Sequence, residues 1–284
     1  MAGIASQGSA GAPLALSIGC TFGLTAAWPT TAIMQVAPRL EAGVSILSER
    51  WESDADHHSY VDHYGNRCER LVLPSGAGPV AYQAEVVLSD PADLIDLSAT
   101  ETPVESLPDE VFSFVLPSRF CLPDEMGHQA WQLFGDLPPG WSRVQAICNW
   151  VHGKVAFNYQ HARPTKTAMD VYTERVGVCR DFQHLAITFC RAMNIPARYA
   201  TGYLGDIGVP VVMPMDFSAW FEVWLDDRWW TFDARNNMPR LGRVLMATGL
   251  DAADVALTTS FGRADLAYFF VKTVEQDPLT GEEL

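Results

Sequence analysis

Gly177-Val178-Cys179-Arg180-Asp181-Phe182-Gln183-His184-Leu185 places a cysteine where a loop turns into a helix. Phe182, Leu185, Ala186, Phe189 and Cys190 recur at helical spacing and predict the buried stripe of a helix over 179–193, closed by Asn194 and Pro196. Further along stand the strand-like run Asp216-Phe217-Ser218-Ala219-Trp220-Phe221-Glu222-Val223 and then Trp230-Thr231-Phe232-Asp233. A cysteine at a helix start, a polar residue on a strand and an aspartate on the next strand outline a Cys-His-Asp acyl-transfer site. The middle position is Ser218 rather than histidine.

The first turn of a helix favours thiolate over thiol, because free N–H groups and the helix dipole face the sulfur, and Arg180 adds positive charge. The same N–H groups can donate to an oxyanion. Within the helix no partner faces Cys179. His184 lies about 140° and Asp181 about 200° around the axis, and Cys190 sits about three turns down. The partner must come from the strands. Asp226-Asp227 reads as a two-residue hairpin turn, which sets Leu225 opposite Arg228 and Trp220 opposite Asp233. Asp233 then lies diagonal to Ser218 at about 7–8 Å, a gap a histidine spans and a serine does not. Phe221, Val223, Leu225, Trp230 and Phe232 form the apolar face of this ribbon. Ser218, Trp220, Glu222, Thr231 and Asp233 form the other face, which borders a cleft. Trp220 and Tyr159 are the candidate substrate contacts.

These residues resemble the transglutaminase-like superfamily of papain-like cysteine enzymes. Gly177 to Phe182 match its Gly-Val-Cys-Arg-Asp-Phe segment, Ser218-Ala219-Trp220 its His-Ala-Trp strand, and Phe232-Asp233 its aspartate after an aromatic. The resemblance implies Cys179 as nucleophile, Asp233 as the residue orienting the base, and Ser218 in the place of the base itself. A serine hydroxyl takes no proton near neutral pH, and losing one such member typically costs at least three orders of magnitude in rate. Three explanations stay open: an introduced inactivating substitution, a natural inactive relative, or chemistry using another base. The expected function is cysteine-dependent acyl transfer on a peptide, protein or small amide, by hydrolysis rather than transamidation. The site would be inactive or strongly impaired. The alternative is a non-catalytic peptide- or protein-binding module using the same cleft.

Around this segment the chain divides in two. Ala15-Leu16-Ser17-Ile18, Ala32 to Val36, Val44 to Leu47 and Ala84 to Leu88 read as strands, and Tyr64-Gly65-Asn66 as a tight turn. The expected fold class is α+β: an antiparallel β-sandwich over 14–110, then a papain-like, transglutaminase-like unit over 124–275. Helices are predicted over 141–155 and 167–176, and later strands over 197–204, 217–225, 228–233 and 267–274. Residues 1–13 read as a loose lead-in or an expression scar.

With 284 residues, 48% of them hydrophobic, the chain can bury two cores. A net charge of −15 speaks against nucleic acid or an anionic membrane as partner. No apolar run approaches the roughly eighteen residues of a spanning helix. The six cysteines form no CxxC pair and read as reduced thiols of a cytoplasmic protein. No metal or organic cofactor is expected. Asp54, Asp56, His57, His58, Asp62 and His63 crowd one stretch, but they read as a polar surface strand rather than a metal site. His184 reads as a hydrogen-bonded packing residue.

Overall fold

The computed structural model describes residues 12–277 and 280–284. Most of the expected lead-in, residues 1–11, lies outside the described residues. Six strands come first: β1 (Leu14–Ala26), β2 (Thr30–Met34), β3 (Val44–Glu52), β4 (Asp56–Val61), β5 (Arg67–Leu73) and β6 (Pro79–Leu88). Then follow α1 (Pro123–Phe134), α2 (Trp141–Lys154), β7 (Ala156–Phe157), α3 (Ala168–Glu174), β8 (Val176–Gly177) and α4 (Cys179–Ala192). The last strands are β9 (Ala197–Leu204), β10 (Ser218–Leu225), β11 (Arg228–Phe232), β12 (Arg243–Gly249), β13 (Thr258–Phe261) and β14 (Ala264–Gln276).

Alternation along β1 sends Leu16, Ile18, Cys20, Phe22 and Leu24 inward, where they meet Tyr82 and Val86 of β6, Met34 of β2 and Leu71 of β5. Two four-stranded antiparallel sheets, β14-β1-β6-β3 and β13-β2-β5-β4, thus enclose one core. Their last members correct the expected second unit of 124–275. β14 pairs with β1 from Ala15↔Gln276 to Ala26↔Ala264, and β13 pairs with β2. The physical reason is edge protection: β6 covers one side of β1, and β14 satisfies the row of N–H and C=O groups on the other. A period-two pattern tells which face is buried, not which strand lies alongside.

α1 is a helix the periodicity reading does not anticipate, although its signals are ordinary. Pro123 opens it, Asp124 and Glu125 occupy its first turn, and Met126, Ala130 and Phe134 form its buried stripe. It packs on α4 beside α2.

The third sheet, β11-β10-β9-β12, lies between the two cores. On one face Phe221, Val223, Leu225, Trp230 and Phe232 join Leu185 and Phe189 of α4 and Ile147 of α2. From the same sheet Tyr203, Val244 and Met246 enter the core of the sandwich. Asp226 and Asp227 both have positive φ, 46° and 57°, as a type I′ turn requires, and Leu225 pairs with Arg228. The apolar face of the ribbon is therefore the one the sequence predicts.

Candidate active site

Cys179 stands at the first residue of α4, and the residues before it explain how it is held. Val178 precedes the helix in extended conformation, and its N–H donates to Asp181 Oδ2 at 3.0 Å. Asp181 thus folds back over residue 177, where a side chain would not fit. A Cβ added to Gly177 would lie 2.6 Å from Asp181 Cβ and 2.7 Å from Oδ2. The pairing of β7 with β8 fixes the approach, with Phe157 opposite Gly177.

The thiol is half-buried and lines two adjoining cavities. One, of about 300 Å³, also carries Tyr159, Asp216, Ser218, Arg235 and Asn236. The other, of about 440 Å³, is apolar, with Val255 and Leu257 facing Cys179 and Ser218. No histidine lines either one among the described residues. Burial, and after it the Asp216 carboxylate, push the thiol up to about 11, against the pull of Arg235 and of the Arg180 N–H. The expected help from the Arg180 side chain is not what the structure shows. The Arg180 guanidinium instead pairs with Asp181 at 3.1 Å and donates to the Arg163 carbonyl, so its charge is neutralised away from the sulfur.

Asp233 lies just beyond β11 and opens a turn rather than extending the strand. Its Oδ1 accepts from Gln183 Nε2 at 3.1 Å, the Arg235 N–H at 2.9 Å and the Asn236 N–H at 3.0 Å. Its Oδ2 accepts from Asn236 Nδ2 at 2.7 Å and Arg243 Nη2 at 3.0 Å. Five donors saturate two oxygens that offer about four lone-pair directions. Burial works to raise this carboxyl, but Arg243 and Asn236 outweigh it and hold it below the usual carboxylate range.

The structure therefore brings together Cys179, Ser218 and Tyr159, whereas Asp233 lines neither of the cavities that hold the thiol. No hydrogen bond joins Ser218 to Cys179 or to Asp233. Asn236 stands between, lining the thiol cavity while donating to Asp233. Phe221 pairs with Phe232, so the register is the expected one, and the turn after Phe232 engages the carboxylate with its own N–H groups. Tyr159 borders the cavity as expected, its hydroxyl donating to Asp216 Oδ2 at 3.0 Å. Trp220 is a correction: it is 2% exposed, packed with Ala200 and Leu245 under the Arg243 guanidinium, and lines neither thiol cavity. Gly202 makes room for its indole, since a Cβ there would lie 2.6 Å from the ring.

Four residues escape a reading based on spacing. Gln183 is one turn beyond Cys179 on α4, so it shares the helix face that His184 and Asp181 do not. Its amide donates to Asp233 and to the Ala219 carbonyl, tying helix to ribbon. Arg235 and Asn236 directly follow Asp233, and Arg243 begins β12. Only the first three carried a positional signal. Arg243 is brought in by strand order alone.

His184 is fully buried, accepts the Ala252 N–H on Nε2 and stacks on Phe120, so it packs rather than reacts. His57 meets Glu69 at 2.5 Å and the His63 ring sits tilted against Tyr64. Among the described residues no group of three His, Cys, Asp or Glu side chains is arranged to hold a metal. No described helix is long and apolar enough to cross a membrane.

Residues 132–234 match the sequence profile of the transglutaminase-like superfamily. An uncharacterized protein of Mycobacterium leprae is 30% identical over 117 residues, 40% of this chain and 42% of that one. The match thus spans less than half of that relative. A crystal structure from Cytophaga hutchinsonii, described as a candidate cysteine protease, superposes with a TM-score of 0.85 at 30% identity, over 94% of this chain and 92% of that one. The periplasmic domain of TgpA from Pseudomonas aeruginosa is more distant, with a TM-score of 0.41 at 15% identity over 79% and 88% of the two chains. With the profile on the core and the Cytophaga structure overlaying nearly the whole fold, this chain belongs to the transglutaminase-like superfamily.

Proposed function

We propose that this protein is a cysteine acyl-transfer protein that lacks a resident base, and that its amide chemistry is strongly impaired for that reason. The observation that carries this reading is the double cavity at Cys179, lined by Ser218 and by no imidazole. A peptide, protein or small amide would bind there, away from nucleic acid and membrane. The thiolate would attack the carbonyl carbon, with N–H groups at the start of α4 placed to receive the oxyanion. Collapse would break the C–N bond, give a thioester and release an amine, and water would then free the acid and restore the thiol.

Two of these steps need a proton carrier. A thiol at about 11 is ionised in roughly one molecule in ten thousand at neutral pH. The departing amine also needs a proton that Ser218 does not supply. An activated ester, whose leaving group departs as an anion, needs neither help to the same degree. The saturation of Asp233 supports natural divergence over an introduced substitution. A site that had just lost its histidine would retain an open acceptor on the orienting carboxylate, and here Arg243 and Asn236 fill it.

The second reading, a peptide- or protein-binding module, is favoured by the exposed Val212 and Met213 that border the thiol cavity and offer apolar surface to a ligand. One experiment separates the two. The protein is incubated with a p-nitrophenyl ester and with the matching p-nitroanilide, and Cys179 is followed by mass spectrometry. An acyl adduct on Cys179 from the ester, with no anilide turnover, is the expected result. Absence of any adduct on Cys179 would leave only the binding module. The six free thiols suit a reducing, cytoplasmic setting, which fractionation of the source cells would test.

A further inference from the structure

The cations around the thiol differ in one respect. Arg240 pairs with Asp206 at 3.1 Å, Arg180 with Asp181, Arg163 with Glu174, and Arg243 with both Asp93 and Asp233. Arg235, which lines the same cavity as Cys179, is in no ion pair among the described residues. Its guanidinium lies over the Phe157 ring, 4.3 Å from the centroid, and its one side-chain hydrogen bond is from Nη1 to Asn236 Oδ1 at 3.3 Å. Its main chain is locked as well, the N–H on Asp233 and the carbonyl on His152. The result is a planar cation held in place on an aromatic face, with the rest of its donor fork unspent. In a chain of net charge −15, an unpaired guanidinium in the reactive cleft marks selection for an anion. The acids of the cavity do not compete for it. Asp206 is taken by Arg240, and Asp216 is bonded by the Tyr159 hydroxyl and the Phe217 N–H.

We propose that Arg235 is the specificity determinant of the Cys179 site, gripping a carboxylate that the acyl substrate carries close to its reacting carbonyl. The inference rests on Cys179 being the reactive group. The carboxylate has two sources, an acidic side chain or a chain terminus, and both present the same planar pair of oxygens to the fork.

The test uses small alkylating reagents of three charges, each rate divided by that with a free thiol to remove intrinsic reactivity, on the full-length protein: iodoacetate, iodoacetamide and 2-bromoethylammonium. In each, the thiolate displaces halide from carbon to leave a thioether, with halide and the thiol proton passing to solvent. Modification of Cys179 is timed by peptide mass spectrometry. The rate ratio of iodoacetate to iodoacetamide is expected to fall at least tenfold in Arg235→Gln and to recover in part in Arg235→Lys. A ratio equal in wild type and Arg235→Gln would overturn the proposal, even if both rates fell together, because a shared fall reports only a weaker thiolate. Preference for 2-bromoethylammonium would overturn it too, by showing that Asp216 governs the cleft. Failure of all three reagents at Cys179 would sink the acyl-transfer reading along with it. The source is then assigned by protection against iodoacetamide. N-acetylglutamate amide should protect if the carboxylate is a side chain and N-acetylalanine if it is terminal, with N-acetylglutamine amide inert in either case. Equal protection by the neutral amide would count against carboxylate recognition.

Discussion

The carboxylate and thiol ends of the site follow opposite rules. Asp233 is buried and takes five donors from α4, β12 and its own turn, so its charge is fully compensated. Cys179 opens onto two cavities, carries no ionic partner, and is driven toward the neutral thiol by burial and by Asp216. In a working triad the two ends are coupled through an imidazole. Here each has been settled separately, the carboxylate as a rivet between helix and ribbon, the thiol as an isolated group in a cleft. The contrast shows two ends of one site held by separate sets of partners.

The comparison breaks first at Arg243. Arg243→Met removes the cation from the buried Asp233 and from Asp93, and urea denaturation should show a loss of about 3–5 kcal/mol. Cys179→Ser should cost less than about 1 kcal/mol by the same measurement, because the half-buried thiol bonds nothing structural. The pH dependence follows the same division. Asp233 has a folded pKa below its unfolded one, so its contribution is complete above the ordinary aspartate value of about 3.9 and is lost as pH falls through the lower folded value. Arg243→Met should flatten that acid limb of the stability curve, and an unchanged limb would mean that other carboxylates dominate it.

The next largest effect is expected from Ser218→His. An imidazolium beside the sulfur should speed Cys179 alkylation at pH 7.5 about tenfold, the equivalent of one pKa unit. Anilide hydrolysis should stay at background, since Asp233 has no free acceptor to orient the ring. Turnover rising by three orders of magnitude would show that the two ends are still coupled and merely lack a part. Asp216→Asn should act more modestly and with opposite sign to Arg235→Gln. Removing a charge that raises the thiol pKa lets thiolate form at lower pH, so alkylation at pH 8 should rise about threefold. Tyr159→Phe, which removes only an exposed hydrogen bond to Asp216, should change that rate by less than about twofold.

What was legible in the sequence was what local chemistry controls. Asp226-Asp227 forces a tight turn, the turn sets Leu225 against Arg228, and alternation then buries Phe221 and Phe232. Gly177 through Asp181 announces its own geometry, because the back-folded aspartate needs a glycine beneath it. What was not legible depends on strand order and on where long polar side chains end. Arg243 reaches Asp233 only because β12 lies beside β9, and Trp220 hides under Arg243 for the same reason. The register that sets Asp233 diagonal to Ser218 was legible, but not that the strand stops at Phe232 and the following turn consumes the carboxylate.

The antiparallel zipper between β1 and β14 has a bearing on how the molecule comes into being. Thr25 is tied to Asp265 across 240 positions, so β1 waits for a strand far along the chain before its second flank is covered. Pairing across such a separation costs loop-closure entropy before any contact repays it, so closure of β14 on β1 is expected to be slower than contacts among neighbours in sequence. Until β14 pairs, that flank of β1 presents unpaired N–H and C=O groups, a template for the wrong strand.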